Sequence, residues 1–183
     1  MLVTEPSFGV EYTAQLIAAL GTELGARLVV QLRDREQQWR REQKLALGEQ
    51  AKQLGAQLWV NRDLELANAL RADGLHANLL QAEPFRTRSA AVHCEEEWQH
   101  ALRHGANSLV VSPIYKVAGK GAPCGTELLR AVRRACPSCE VWALGGIGAH
   151  NGRACLDAGA DGLAVRSSFY TSTDPVGLVR GLW

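Results

Sequence analysis

Eight short apolar runs alternate with amphipathic ones along this 183-residue chain, and that alternation predicts an α/β fold of the (β/α)8, or TIM barrel, type. Two further features point the same way. A Gly-Ala or Ala-Asp-Gly sequence stands just before several of the apolar runs, where a helix must stop and turn back into the sheet. The last two apolar runs end in loops rich in glycine or serine, and the loops after strands seven and eight of such barrels commonly hold a phosphate.

The first strand is read over Leu2 to Glu5, followed by an amphipathic helix from Glu11 to Leu20. Gly25-Ala26 then introduces strand two, Arg27 to Leu32, where β-branched and leucine side chains suit a pleated, buried position. A long amphipathic run from Gln37 to Leu54 follows, and Gly55-Ala56 turns it into strand three, Gln57 to Asn61. Ala72-Asp73-Gly74 opens strand four, Gly74 to Asn78; the connection from Leu79 to Ser89 is interrupted by Pro84 and makes a poor helix. Strand five is placed at Ala90 to Cys94 and its helix at Glu95 to Arg103. After Gly105-Ala106 come strand six, Ser108 to Ile114, and a helix from Thr126 to Ala135. Strand seven spans Glu140 to Leu144, its helix Asn151 to Ala158, and strand eight Gly162 to Val165. The competing open, doubly wound sheet would carry a glycine-rich turn after its first strand, and Thr4-Glu5-Pro6-Ser7 stands there instead.

Composition bounds the rest. With 46% hydrophobic residues, residues 1–183 suffice for one core and one domain. A formal charge of +1 gives no general attraction to nucleic acid or to a membrane surface. No apolar run approaches the roughly 20 residues of a membrane span, and the N-terminus carries no basic segment ahead of an apolar one, so a cytoplasmic protein is expected. Five cysteines do not suggest a disulfide framework. Cys136-Pro137-Ser138-Cys139 has redox or zinc spacing, but no second pair completes a zinc site, and it is read as an ordinary loop on the face away from the chemistry.

The functional signal lies in Leu144-Gly145-Gly146-Ile147 and Val165-Arg166-Ser167-Ser168. Paired glycines let the backbone approach an anion with no Cβ in the way, so a small phosphorylated ligand is the first expectation. Lys120, between Gly119 and Gly121, is read as a lid residue over such a ligand.

Several motifs, in order, resemble a known family: Val30-Gln31-Leu32-Arg33-Asp34-Arg35; Trp59-Val60-Asn61-Arg62-Asp63; Ala72-Asp73-Gly74-Leu75-His76; Ser112-Pro113-Ile114-Tyr115 with Lys120 and Gly125; Ala143-Leu144-Gly145-Gly146-Ile147; and Ala158 through Val165 with Ser167. Over nearly the whole chain they are similar to thiamine-phosphate synthase and its sister, the thiazole tautomerase. The resemblance implies a pyrimidine diphosphate held by Gln31, Arg33, Arg35 (where lysine is usual), Asn61 and Lys120, and a thiazole phosphate on Gly145, Gly146, Val165 and Ser167.

It also implies magnesium on two aspartates, and there the sequence departs. Arg62 follows Asn61, and no aspartate follows His76 in Ala77-Asn78-Leu79-Leu80-Gln81, although Asp63 and Glu83 stand near in sequence. The serine that would bind diphosphate is Ala91. No metal and no cofactor are therefore expected, magnesium entering only under the synthase alternative. A tautomerase needs only anion binding and an acid/base group. Its usual strand-six histidine is Ser112 here, so His76 and His93 become the candidate proton-transfer groups beside Arg33 and Lys120, with Arg62 as a further anion-binding residue. His100 and His104 fall on or after a surface helix and are expected to be inert. The leading expectation is a metal-independent, tautomerase-like enzyme. A synthase is the alternative, and a non-catalytic phosphate-binding paralogue the alternative of another class. Relatives of this kind are commonly oligomers.

Overall fold

The computed structural model describes residues 1–77 and 85–182. Its strands are β1 (Leu2–Val3), β2 (Val29–Leu32), β3 (Gln57–Asn61), β4 (Gly74–His76), β5 (Thr87–Val92), β6 (Ser108–Val111), β7 (Glu140–Leu144) and β8 (Gly162–Ala164). All seven consecutive pairs, β1 with β2 through β7 with β8, are parallel. A parallel bridge between Leu2 and Val165 joins the ends: Val3 N donates to Val165 O at 3.0 Å and Val165 N to Met1 O at 2.9 Å. The sheet is a closed barrel.

Helices α1 (Val10–Leu24), α2 (Arg41–Gln53), α3 (Leu64–Ala69), α4 (Glu95–Arg103), α5 (Gly125–Ala135) and α6 (Gly152–Asp157) lie between strands, and α7 (Ser167–Thr171) and α8 (Pro175–Arg180) follow the last. Their apolar faces cover the outside of the sheet, where Ile17, Leu20, Leu47, Leu109 and Leu129 are among the fully buried side chains. None of the described helices is long and apolar enough to cross a membrane.

The inside of the barrel is filled differently. Val3, Val29, Val110 and Ala164 are too small to fill it, and the bulk comes from Trp59 on β3 and Trp142 on β7, whose rings meet edge to face at 5.8 Å. Each indole fits because the next strand offers a glycine. A Cβ on Gly74 would come within 2.8 Å of Trp59, and one on Gly162 would overlap the ring of Trp142.

The aspartate before each glycine completes the device. Asp73 accepts from Leu58 N at 2.8 Å, and Asp161 accepts from Val141 N at 2.7 Å, so a carboxylate ties down the second amide of β3 and of β7. The two Ala-Asp-Gly sequences thus make the same join four strands apart.

Several boundaries differ from the sequence expectation. β1, β2 and β6 are shorter than read, because their outer residues leave the ladder for the loops, and β8 ends at Ala164, with Val165 making only the isolated bridge to Leu2. β5 begins at Thr87 rather than Ala90, since Thr87, Arg88 and Ser89 pair with Gly74, Leu75 and His76 although they are not apolar. α3, α7 and α8 had no bounds assigned from the sequence; α3 and α8 are single short segments fixed by the caps Asp63 and Asp174. Cys136 and Cys139, expected in a plain loop, form a disulfide with Cα atoms 5.5 Å apart. That loop joins α5 to β7 at the end of the barrel away from the strand C-termini, as read, and Arg133 holds it by donating to Pro137 O and Cys139 O. The expected end of strand four at Asn78 and the connection through Pro84 lie outside the described residues, as does Glu83.

The steric pairing gives a test. Gly162→Ala is expected to lower stability by about 1–3 kcal/mol through overpacking against Trp142, and Gly162→Ala with Trp142→Phe to recover part of it. Denaturant unfolding of the four proteins of this cycle measures it, with Gly121→Ala, at a glycine with open space around it, as the neutral control. An equal cost for Gly162→Ala in both backgrounds would remove the tryptophan from the explanation.

Candidate active site

The C-terminal ends of the strands surround a cavity of about 330 Å³. Gln31, Arg33, Arg35, Asn61, His76, His93, Lys120, Gly145, Gly146, Val165 and Ser167 all line it, so every residue assigned a catalytic or ligand-binding role from the sequence, except Arg62, is brought to this one place. Arg62 is exposed at the rim just after β3, with φ +62° and its backbone N–H donating to His76 O at 3.0 Å.

The lower layer is polar but uncharged. Gln31, Asn61, His76 and Ser89 are buried side chains on β2, β3, β4 and β5. Asn61 Nδ2 lies 3.5 Å from Gln31 Oε1, and His76 Nδ1 lies 3.0 Å from Ser89 Oγ. Burial, reinforced by the positive charges of Arg35, Arg62 and Arg33, pushes His76 down from 6.5 to about 4, so it is neutral near pH 7.

His93 sits higher and is exposed. Its Nδ1 contacts the carbonyl of Ser112, and its backbone N–H donates to Glu97 Oε2 at 2.6 Å. A nitrogen facing a carbonyl must carry the proton, which leaves Nε2 as the basic atom of the ring.

One wall is made by three interlocked loops. Ile114 N and Tyr115 N donate to Leu144 O and Gly145 O at 2.9 and 3.0 Å, Asn151 Nδ2 donates to Gly146 O at 2.9 Å, and Ser168 Oγ donates to Ile147 O at 3.1 Å. The two glycines are required on two counts. Gly145 and Gly146 have φ +103° and +68°, and a Cβ on either would come within 2.8 Å of Pro113 or Tyr115.

The mouth is cationic. Arg33, Arg35, Lys120 and two residues the sequence reading gave no role, Lys116 and Arg166, line it, and no aspartate or glutamate lines it among the described residues. Arg166 stood inside a quoted loop motif but carried no signal beyond its charge; Lys116 carried none. Burial first, then mutual repulsion with Arg166 and other arginines, pulls the Arg33 and Arg35 guanidinium groups below their usual range.

The carboxylates nearby are engaged. Asp34 accepts from Gln38 N and Trp39 N, and Arg166 pairs with Glu5 at 3.2 Å. Asp63, a sequence candidate for replacing a metal ligand, instead caps α3 by accepting from Leu66 N at 2.9 Å and faces Lys44 at 3.8 Å, which corrects that expectation. Magnesium takes oxygen ligands, usually with one or two carboxylates among them. A mouth lined by guanidinium and ammonium groups does not suit it.

The His76 shift makes stability depend on pH. Its folded value, about 4, lies below the ordinary 6.5, so as pH falls through that window the unfolded chain takes up a proton that the folded chain refuses. Stability is expected to fall by up to about 3 kcal/mol between those limits, with no contribution from this group above the window and no further change below it. Urea unfolding of wild type and His76→Gln at several pH values reads this, the variant losing that part of the slope.

Comparison with known proteins agrees with the geometry. The family profile described as thiamine monophosphate synthase matches residues 1–169. A thiamine-phosphate synthase of Chloroflexus aurantiacus is 32% identical, over 96% of this chain and 86% of that protein. One of Lysinibacillus sphaericus is 35% identical over 126 residues, 63% of this chain, and the chain spans only 59% of that relative's length. Among solved structures, thiamine phosphate pyrophosphorylase from Pyrococcus furiosus superposes with a TM-score of 0.78, covering 99% of this chain and 91% of that one at 24% identity, a likeness of fold. Since the family profile covers most of the chain, this protein belongs to the thiamine monophosphate synthase family.

Proposed function

We propose that this protein is a thiamine-phosphate synthase-type transferase that joins a pyrimidinylmethyl diphosphate to a thiazole phosphate. The tautomerase reading, first from the sequence alone, becomes second, since the relatives compared are synthases. The observation that carries the proposal is one cavity lined both by the glycine and serine loops after β7 and β8 and by Arg33 and Arg35 after β2, with Lys120 from the loop after β6, above a buried neutral layer. Two anionic ends and a heterocycle between them fit that arrangement.

The chemistry also fits the histidines. In the condensation the bond from the pyrimidine's methylene carbon to the diphosphate oxygen breaks, and the electron pair leaves with diphosphate. The thiazole nitrogen donates its lone pair to that carbon, giving a thiazolium. No proton needs to move, so a buried neutral His76 is no obstacle. What the reaction requires is stabilisation of charge on the departing diphosphate, and Arg33 and Arg35, with Lys120 in the same cavity lining, supply positive charge for it.

The second reading rests on His93. Its ring is held against Ser112, the position where a tautomerase resemblance places a histidine, with Nε2 as the basic atom. Mixing the two substrates and following thiamine phosphate, in separate arms with magnesium and with chelator, tests the first reading. Arg33→Gln is expected to lower kcat/KM by about 10- to 100-fold. A parallel assay of thiazole carboxylate phosphate isomerisation tests the second, where His93→Asn should cost roughly 10²–10⁴-fold. Product in neither assay would leave a binding protein.

A further inference from the structure

We infer that this site binds the diphosphate end of its ligand with protein guanidinium and ammonium groups in place of a divalent cation, Arg62 standing where the family's pattern has a metal-binding aspartate. The inference deepens the transferase reading and rests on it for the identity of the anion. Three observations carry it.

The first is the donor set. Arg33, Arg35, Arg166, Lys116 and Lys120 line the mouth, and among the described residues no carboxylate does. The acidic groups on the adjoining loops, Asp34, Glu36, Asp63 and Glu5, already hold backbone amides, an amide side chain or a basic side chain. A divalent cation entering here would meet repulsion from several positive charges with no anionic ligand to offset it, whereas a diphosphate meets matching charges and paired N–H forks.

The second is the setting of Arg62. Its φ of +62° is a conformation in which asparagine, aspartate or glycine is ordinary and arginine is uncommon. The chain keeps that backbone, anchored by the hydrogen bond to His76 O, and presents a cation on it. Arg62 is also close enough to depress both Arg35 and the buried His76 electrostatically, which puts its charge at the same end of the cavity.

The third is that these cations are gathered against their own repulsion. Arg33, half-buried, and Arg35, exposed beside it, repel one another, with Arg166 and Arg62 adding to the field, and the negative charges opposing it, Glu5 and Glu36, act on Arg33. A polyanion relieves that repulsion as it binds. The arrangement is what a diphosphate site needs and what a metal site avoids.

The test is calorimetry of inorganic pyrophosphate with the whole protein, in chelator and in magnesium, treating free pyrophosphate and its magnesium complex as separate ligands. Wild type is expected to bind in chelator, with magnesium tightening the binding by less than about threefold. Arg62→Asn, which suits the left-handed backbone, and Arg35→Gln are each expected to weaken binding in chelator by roughly tenfold or more. Circular dichroism of each variant confirms that it folds. Tightening by tenfold or more with magnesium, no binding in chelator, or full affinity in Arg62→Asn overturns the inference; a carboxylate supplied from outside the described residues would register as the first of these. Because pyrophosphate binding is read apart from turnover, an inactive protein that binds it without metal sinks only the transferase reading. An active one that needs metal for pyrophosphate sinks only this inference.

Discussion

An eight-stranded barrel of short strands encloses a space that small side chains cannot fill, and this one fills it with two indoles opposite one another. Trp59 and Trp142 meet at 5.8 Å, and each depends on the glycine of the following strand, Gly74 or Gly162. The rest of the structure follows from that choice. The indoles fill the barrel interior without lining the cavity, to which their neighbours Val3, Val110 and Ala164 contribute instead, and Asp73 and Asp161 lock the same two strand pairs by taking the second amides of β3 and β7. Sterics and hydrogen bonding act at the same two joins.

In the cavity, charge is separated by height. Gln31, Asn61, His76 and Ser89 offer hydrogen bonds but no net charge, while Arg33, Arg35 and Arg166 stand over them at the mouth. Burial first, and then the cations, keep His76 deprotonated, and a protonated His76 would add another positive charge among them. The field that gives the mouth its anion preference therefore reinforces the neutrality that burial imposes on the layer below.

Elements whose pattern is purely apolar or strongly amphipathic were legible from the sequence. β3 over Gln57–Asn61, β7 over Glu140–Leu144 and α4 over Glu95–Arg103 stand where the sequence put them. β5 did not, because Thr87, Arg88 and Ser89 join the sheet through pairing with β4 and carry no apolar alternation. With them Ser89 was missed, although it is the partner of His76. Cavity-lining residues tied to a glycine motif or a strand end were legible, since topology alone brings strand ends together. Arg166 and Lys116 were passed over because a single cation in a loop reads the same whether it faces solvent or a cavity. The Cys136–Cys139 disulfide was equally illegible, because spacing permits a bond without requiring one.

The Ala-Asp-Gly sequences carried more than their first reading. Before the structure they were helix stops, as are Gly25, Gly55, Gly105 and Gly159, all of which have positive φ. Both Ala-Asp-Gly triplets also brace an amide and clear room for a ring, each following a strand that carries a tryptophan, Trp59 or Trp142. A motif that looks like punctuation therefore decides how the barrel interior is packed. Since neither indole lines the cavity, a change of ring size at position 59 or 142 would act on the ligand through that packing rather than through direct contact.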